Sequence, residues 1–147
     1  MNTSRYPEAA DATRTSKQRY QVNRKRILIV EDDRLSFIVL CQLLTAQGYE
    51  ILQSSEGRDG IHRARNEKPD LIVMDIKLPD ISGLDAILLL KKDDQTKNIP
   101  IIAVTAFVTP ADKANALRSG CNAYVAKPVN MNNLLKTVET FLSSSSA

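Results

Sequence analysis

Histidine is almost missing from the 147 residues, cysteine is scarce, and no long apolar run interrupts the chain. With His62 as the single histidine, a multi-histidine metal centre is excluded, and His62 itself, beside Arg63 and Arg65 on a helix-like stretch, is expected to carry no chemistry. Cys41 and Cys121 are the only cysteines. Neither has a second Cys or a His at ligand spacing, so both are expected to be reduced thiols rather than a disulfide or a metal site. No apolar stretch approaches the ~20 residues that cross a bilayer, and the polar N-terminus lacks the apolar middle of a secretion signal. A soluble, cytoplasmic protein with no membrane contact is expected. No Gly-rich loop follows a strand-like run, which disfavours a nucleotide-binding module.

What is present divides the chain into unequal parts. The net charge of +3 conceals an asymmetry: residues 1–26 carry seven Lys or Arg against Glu8 and Asp11, a balance of +5, so the remainder is −2. Residues 1–25 hold few large apolar side chains to offset the entropy of ordering them, and are expected to form a flexible basic extension. Its charges are dispersed and its aromatics few, so a solvated tail is favoured over a nucleic-acid arm. A Ser-rich tail, 143–147, is expected at the other end, which leaves residues 26–142 as one domain.

Within that domain the hydrophobic period switches repeatedly. Ile27–Val30, Leu71–Met74 and Ile101–Val104 are apolar throughout, as strands covered on both faces should be, and Glu50–Gln53 and Ala123–Ala126 are weaker versions. Helical spacing separates them. Leu35, Ile38, Val39 and Leu43 predict one apolar stripe; Met131, Leu134, Leu135, Val138, Phe141 and Leu142 predict another. Shorter helices fit 57–66, 84–92 and 110–119, with Gly48 and Gly120 at helix ends and Pro110 at a helix start. Five strand-helix units call for an α/β fold, a parallel sheet with helices on both faces. In such a sheet, ligands gather beyond the carboxyl ends of the strands.

The residues at those ends are Glu31, Asp32 and Asp33 after the first strand, Asp75 after the third, Thr105 after the fourth and Lys127 after the fifth. Carboxylates brought together there would raise one another's pKa unless a cation joined them. Oxygen ligands indicate a hard ion, and an incomplete set that leaves room for water and a phosphate oxygen favours Mg²⁺ over Ca²⁺. A carboxylate flanked by that ion and by Lys127 suits attack on a phosphoryl group, with the Thr105 hydroxyl in reach of one oxygen. Singly, each acid is as well explained as a helix cap or a solvated charge, and Asp33 suits the cap of the helix near Leu35. Acid, acid, hydroxyl and lysine at successive core strands favour the joint reading.

These residues resemble a known family. Ile27–Asp33, Leu71–Pro79, Ser82-Gly83, Val104-Thr105-Ala106, and Tyr124 with Lys127-Pro128 are similar to the receiver domains of two-component response regulators, the CheY-like family. Thr105 lies 30 residues after Asp75, and Lys127 another 22 beyond, which matches that family's spacing. Within it the chain looks most like short cell-cycle regulators of the DivK type, through Ala46–Glu50, Met74–Ile76 on to Ile81–Leu84, Val104–Phe107 and Gly120-Cys121. The resemblance implies a flavodoxin-like (βα)5 fold with strand order 2-1-3-4-5 and a cis peptide before Pro128.

It also implies roles. Asp75 would be the phosphoacceptor; Glu31, Asp32, Asp75 and the backbone carbonyl of Lys77 would hold Mg²⁺; Lys127 would pair with the phosphate. Thr105 and Tyr124 would form the switch. A histidine kinase or phosphotransfer protein would supply the phosphoryl group. A downstream protein would read the face built from the fourth helix, fifth strand and fifth helix, with the chain itself a monomer or weak dimer. Such a domain catalyses its own phosphorylation and dephosphorylation without being a turnover enzyme. Lys77 and Phe107 flank the path of water to the phosphoryl group, and their bulk is expected to slow hydrolysis. Three other readings compete: a phosphorelay intermediate or phosphate sink, a receiver-like binding scaffold, and a haloacid-dehalogenase-like phosphatase. The last needs a second Asp where Lys77 stands.

Overall fold

A computed structural model describes residues 24–106 and 109–144. The expected extension falls almost wholly outside these residues, as do Phe107 and the last three residues of the chain. The chain order is β1 (Arg26–Val30), α1 (Arg34–Ala46), β2 (Glu50–Ser54), α2 (Gly57–Glu67), β3 (Leu71–Asp75), α3 (Gly83–Lys92), β4 (Ile101–Thr105), α4 (Pro110–Arg118), β5 (Ala123–Ala126) and α5 (Met131–Ser144). The strands form one parallel sheet in the order β2-β1-β3-β4-β5.

Apolar runs form the central strands because both of their faces are covered. Leu28, Val30, Ile72, Met74, Ile101 and Ala103 pack against Ile61, Ala64, Ile87, Leu90 and Ala116 of α2, α3 and α4. The alternate residues Ile27, Ile29, Leu71, Val73, Ile102 and Val104 pack against Leu40, Leu44, Leu134, Val138 and Leu142 of α1 and α5. Side-chain alternation along a strand thus sorts each run into two layers. β5 lies at the sheet edge, and its four residues are only half-buried, which explains its weaker apolar signal.

The punctuation behaves as the residues predict. Gly48 and Gly120 adopt φ of +95° and +92° just past α1 and α4, a conformation that costs any residue with a Cβ. Pro110 opens α4 behind a Thr109–Asp112 capping box. The peptide Lys127-Pro128 is cis, and α5 runs on through Ser143 and Ser144.

The expected stripe of α1 needs correction. Leu35 is 73% exposed and Val39 44%, while Leu40 and Leu44 are buried and Phe37 and Leu43 pack beside them. This helix is apolar around most of its circumference, so spacing alone does not select a face. The Asp33 cap, accepting from Ser36 N at 2.9 Å, fixes where the helix begins, and packing against the sheet selects the Leu40–Leu44 face.

Candidate functional site

The strand ends converge on one cavity of about 530 Å³ lined by Glu31, Asp32, Asp75, Lys77, Thr105 and Lys127, among others. Alternation places them. Asp75 follows Leu71 and Val73 on the side that faces α1 and α5, and Glu31 continues the Ile27–Ile29 row. Thr105 pairs with Ala126, and Ala103 with Tyr124, so Thr105 and Tyr124 share the opposite face. Tyr124 packs half-buried against the α2–α4 layer and stands outside the lining of the acidic cavity. Thr105 is buried; its carbonyl accepts from Lys127 N at 2.7 Å, which ties the lysine backbone to β4.

Glu31 and Asp75 are 3% and 4% exposed, and an isolated buried carboxylate is costly. Lys127 answers part of that cost: its ammonium lies 3.4 Å from Glu31 Oε1 and 3.4 Å from Asp75 Oδ2. Burial opposes the lysine charge, yet the facing carboxylates of Asp75 and Glu31 outweigh it and raise its pKa. One ammonium between two acids leaves an excess of negative charge. Burial above all, and then Asp75, push the Glu31 carboxyl up to about 7, against the lowering effect of the Asp33 amide and of Lys127. That amide donates to Glu31 Oε2 at 3.0 Å, while the Lys77 amide reaches Asp75 Oδ1 at 3.4 Å.

A hard divalent cation fits this donor set. Carboxylate oxygens of Glu31, Asp32 and Asp75 lie within 4.8 Å of one another, and the charge they leave uncompensated is of the sign such an ion removes. Asp32 is exposed, so this side of the site is open to water. Asp33 has another task, the cap of α1.

With metal removed by a chelator, the raised Glu31 pKa has a definite sign. Folding favours the neutral carboxyl, so its stabilising effect is complete below 4.5, declines as pH rises and is lost above about 7,. Asp33, Asp80 and Asp93 are shifted down from 3.8 and contribute their changes below this window. Metal-free protein should therefore lose stability between pH 5 and 7.5, by on the order of 2 kcal/mol. Glu31→Gln should flatten the profile. Thermal melts across that range check it, and an unchanged slope in the variant would remove Glu31 as its source.

The response regulator receiver domain model matches residues 27–139. The chain belongs to the response regulator receiver family. Its similarity extends to named regulators: it is 40% identical over 118 residues to the polar-differentiation response regulator DivK of Brucella anthropi, covering 80% of this chain and 96% of that protein. DivK of Brucella ovis is 39% identical over the same shares. Among solved structures, a putative response regulator from Chloroflexus aurantiacus superposes with a TM-score of 0.79 at 28% identity, covering 82% of this chain and 99% of that one. The receiver domain of a Pseudomonas aeruginosa sensor histidine kinase, with magnesium coordinated in its active-site cleft, gives 0.77 at 29% identity over 82% and 98%. A CheY-like receiver protein from Methanospirillum hungatei gives 0.77 at 31% over 84% and 98%. This is a DivK-type, CheY-like receiver domain of a two-component system. Receiver domains generally bind Mg²⁺ at an acidic site and work with histidine kinases or phosphotransfer proteins. No helix among the described residues is long and apolar enough to cross a membrane.

Two residues near the site carry more than sequence reading assigns them. A Cβ at Gly83 would stand 2.1 Å from the Asp75 carbonyl oxygen, so this glycine allows α3 to start against the end of β3. Asp80 accepts from the amides of Gly57 and Arg58 at the start of α2. The one available hint is indirect: α2 begins after Glu56, which is not a favoured capping residue.

Proposed function

We propose that this receiver domain accepts a phosphoryl group on Asp75 from the phosphohistidine of a kinase or phosphotransfer protein and signals through protein contacts that depend on it. The observation that carries the reading is the meeting of Glu31, Asp32, Asp75 and Lys127 at one cavity. Asp75 Oδ attacks phosphorus in line while the donor N–P bond breaks, and the imidazole leaves with that electron pair. The Lys127 ammonium pairs with a phosphoryl oxygen, and the Thr105 hydroxyl hydrogen-bonds another. Glu31, Asp32, Asp75 and the Lys77 carbonyl are the groups that would hold Mg²⁺, which when bound offsets charge on the transferring oxygens.

In the phosphorylated state Thr105 is drawn toward the acquired group, and Tyr124, on the same sheet face, moves into the space released. A downstream partner reads the resulting change on the α4-β5-α5 face. Converting a mostly inactive population to a mostly active one requires about 5 kcal/mol of differential stabilisation, within reach of a Thr hydrogen bond plus a Lys ion pair in a dry site. The same pocket would serve a relay intermediate, and reverse transfer to a phosphotransfer histidine separates the two uses. The cytoplasm is the compartment in which a kinase partner would meet this domain.

Incubation with MgCl2 and a small phosphodonor tests the reading. Intact-mass measurement should show one added phosphoryl group, stable to acid and labile to base, and a chelator should prevent it. Protein that takes up none under either condition would overturn the proposal. Lys77 is exposed and lines the cavity, which supports the reading that its long side chain hinders the approach of water. Lys77→Asn should shorten the phosphoryl lifetime several-fold in a decay assay after donor removal. An unaltered lifetime would reject that role.

A further inference from the structure

Helix α2 does not cap itself. The first N–H groups of any helix lack partners within it, and the Glu56 side chain at the cap position makes no hydrogen bond to them. The acceptor comes from 23 residues away: Gly57 N donates to Asp80 Oδ1 at 2.8 Å, and Arg58 N to Asp80 Oδ2 at 2.9 Å. The fit leaves no slack, since a Cβ at Gly57 would stand 2.6 Å from Ile81 Cγ1. Further along, Gly83 N donates to Ile76 O at 2.7 Å. The loop after the phosphoacceptor is therefore fastened to the end of β3 through Gly83 and to α2 through Asp80. Lys77, whose carbonyl is the remaining ligand in the reading above, lies between Ile76 and Asp80, inside the fastened stretch.

We infer that Asp80 is a positioning residue, holding the 76–82 loop against α2 so that the Lys77 carbonyl and the Asp75 carboxylate are set for Mg²⁺. This inference rests on the reading of Asp75 as phosphoacceptor. A loop released from α2 keeps every ligand but spends only part of its time in the binding arrangement, and apparent affinity falls by that fraction. The coupling is reciprocal. An ion that favours the fastened loop must also strengthen the two hydrogen bonds at the start of α2, although no residue of that helix is a ligand.

The experiment uses the full chain as wild type, Asp80→Ala, Asp80→Asn and Thr96→Val. Thr96 is a stability control, because its hydroxyl donates to Leu90 O at 2.7 Å near the C-terminal end of α3, away from the cavity. Calorimetric titration with MgCl2 gives the dissociation constant, and amide hydrogen exchange at Gly57 and Arg58 is followed with and without MgCl2. Asp80→Ala should weaken Mg²⁺ binding about tenfold or more. Asp80→Asn retains one acceptor oxygen but turns an amide NH2 toward the second helix N–H, and should recover only part of the loss,. Thr96→Val should melt earlier yet bind Mg²⁺ as wild type does. In wild type, MgCl2 should slow exchange at Gly57 and Arg58.

Wild-type affinity in Asp80→Ala would overturn the inference, as would an equal loss of affinity in Thr96→Val. Should Asp80→Ala fail to fold, the wild-type exchange decides: rates at Gly57 and Arg58 indifferent to MgCl2 would overturn it. A wild type that binds no Mg²⁺ is a distinct result, which overturns the metal-site reading and this role with it.

Discussion

Asp75→Asn is expected to take up no phosphoryl group under conditions in which the wild type is labelled, a loss in rate on the order of a thousandfold or more. The carboxamide has nearly the same shape and fits a side chain only 4% exposed, so the fold should survive. It carries no anionic oxygen to attack phosphorus, and the mixed anhydride cannot form. A second effect follows from charge. Asp75 is one of the causes that raise the Glu31 carboxyl to about 7; with residue 75 neutral, Glu31 should ionise at lower pH. Metal-free Asp75→Asn should then lose less stability than wild type between pH 5 and 7.5. Intact mass and chelated melts measure the two effects separately. Undiminished incorporation in Asp75→Asn would place the phosphoryl group elsewhere.

Gly83→Ala is expected to be the most disruptive single methyl in the described residues. The added carbon would meet the Asp75 carbonyl oxygen at 2.1 Å and Ile76 Cα at 2.6 Å, both of them backbone atoms that cannot rotate away. Gly60 presents a milder case, since its nearest obstacle is the Val30 side chain at 2.8 Å. Relief at Gly83 requires α3 to retreat from β3 or the Asp75 backbone to shift, at a cost of about 3 kcal/mol or more. Either movement also disturbs the Gly83 N to Ile76 O bond beside Asp75. The melting temperature should fall by roughly 10 °C, with phosphorylation slowed at least about tenfold by the misplacement. Gly60→Ala should lose less stability and keep its labelling rate. A Gly83→Ala protein that melts and labels like wild type would mean that the approach of α3 to β3 is not needed.

Element existence was readable wherever burial imposes a period. β1, β3 and β4 combine strong apolar content with two covered faces, and α5 has one buried face from Leu134 to Leu142, with only Met131 of its expected stripe exposed. In α1 apolar residues lie on several sides of the helix; periodicity then admits more than one rotation, and the Leu35–Val39 choice lost to Leu40 and Leu44. The acids, Thr105 and Lys127 were readable because parallel strands deliver their carboxyl ends to one edge of the sheet. The resemblance added the cis peptide before Pro128, and with it the proposed switch role of Tyr124, neither of which any local pattern specifies.

Residues alone determined the alternation of strand and helix, the apolar layers, and the chemical types presented at the strand ends, because each depends on neighbours within a few positions. Tertiary structure decided the rest. Glu31 takes its raised pKa from burial and from Asp75, against the pull of Lys127, 96 positions further along the chain, and α2 takes its cap from Asp80, 23 positions beyond Gly57. Desolvation and hydrogen bonding act over a few ångströms of space, and only the folded chain brings such distant residues that close.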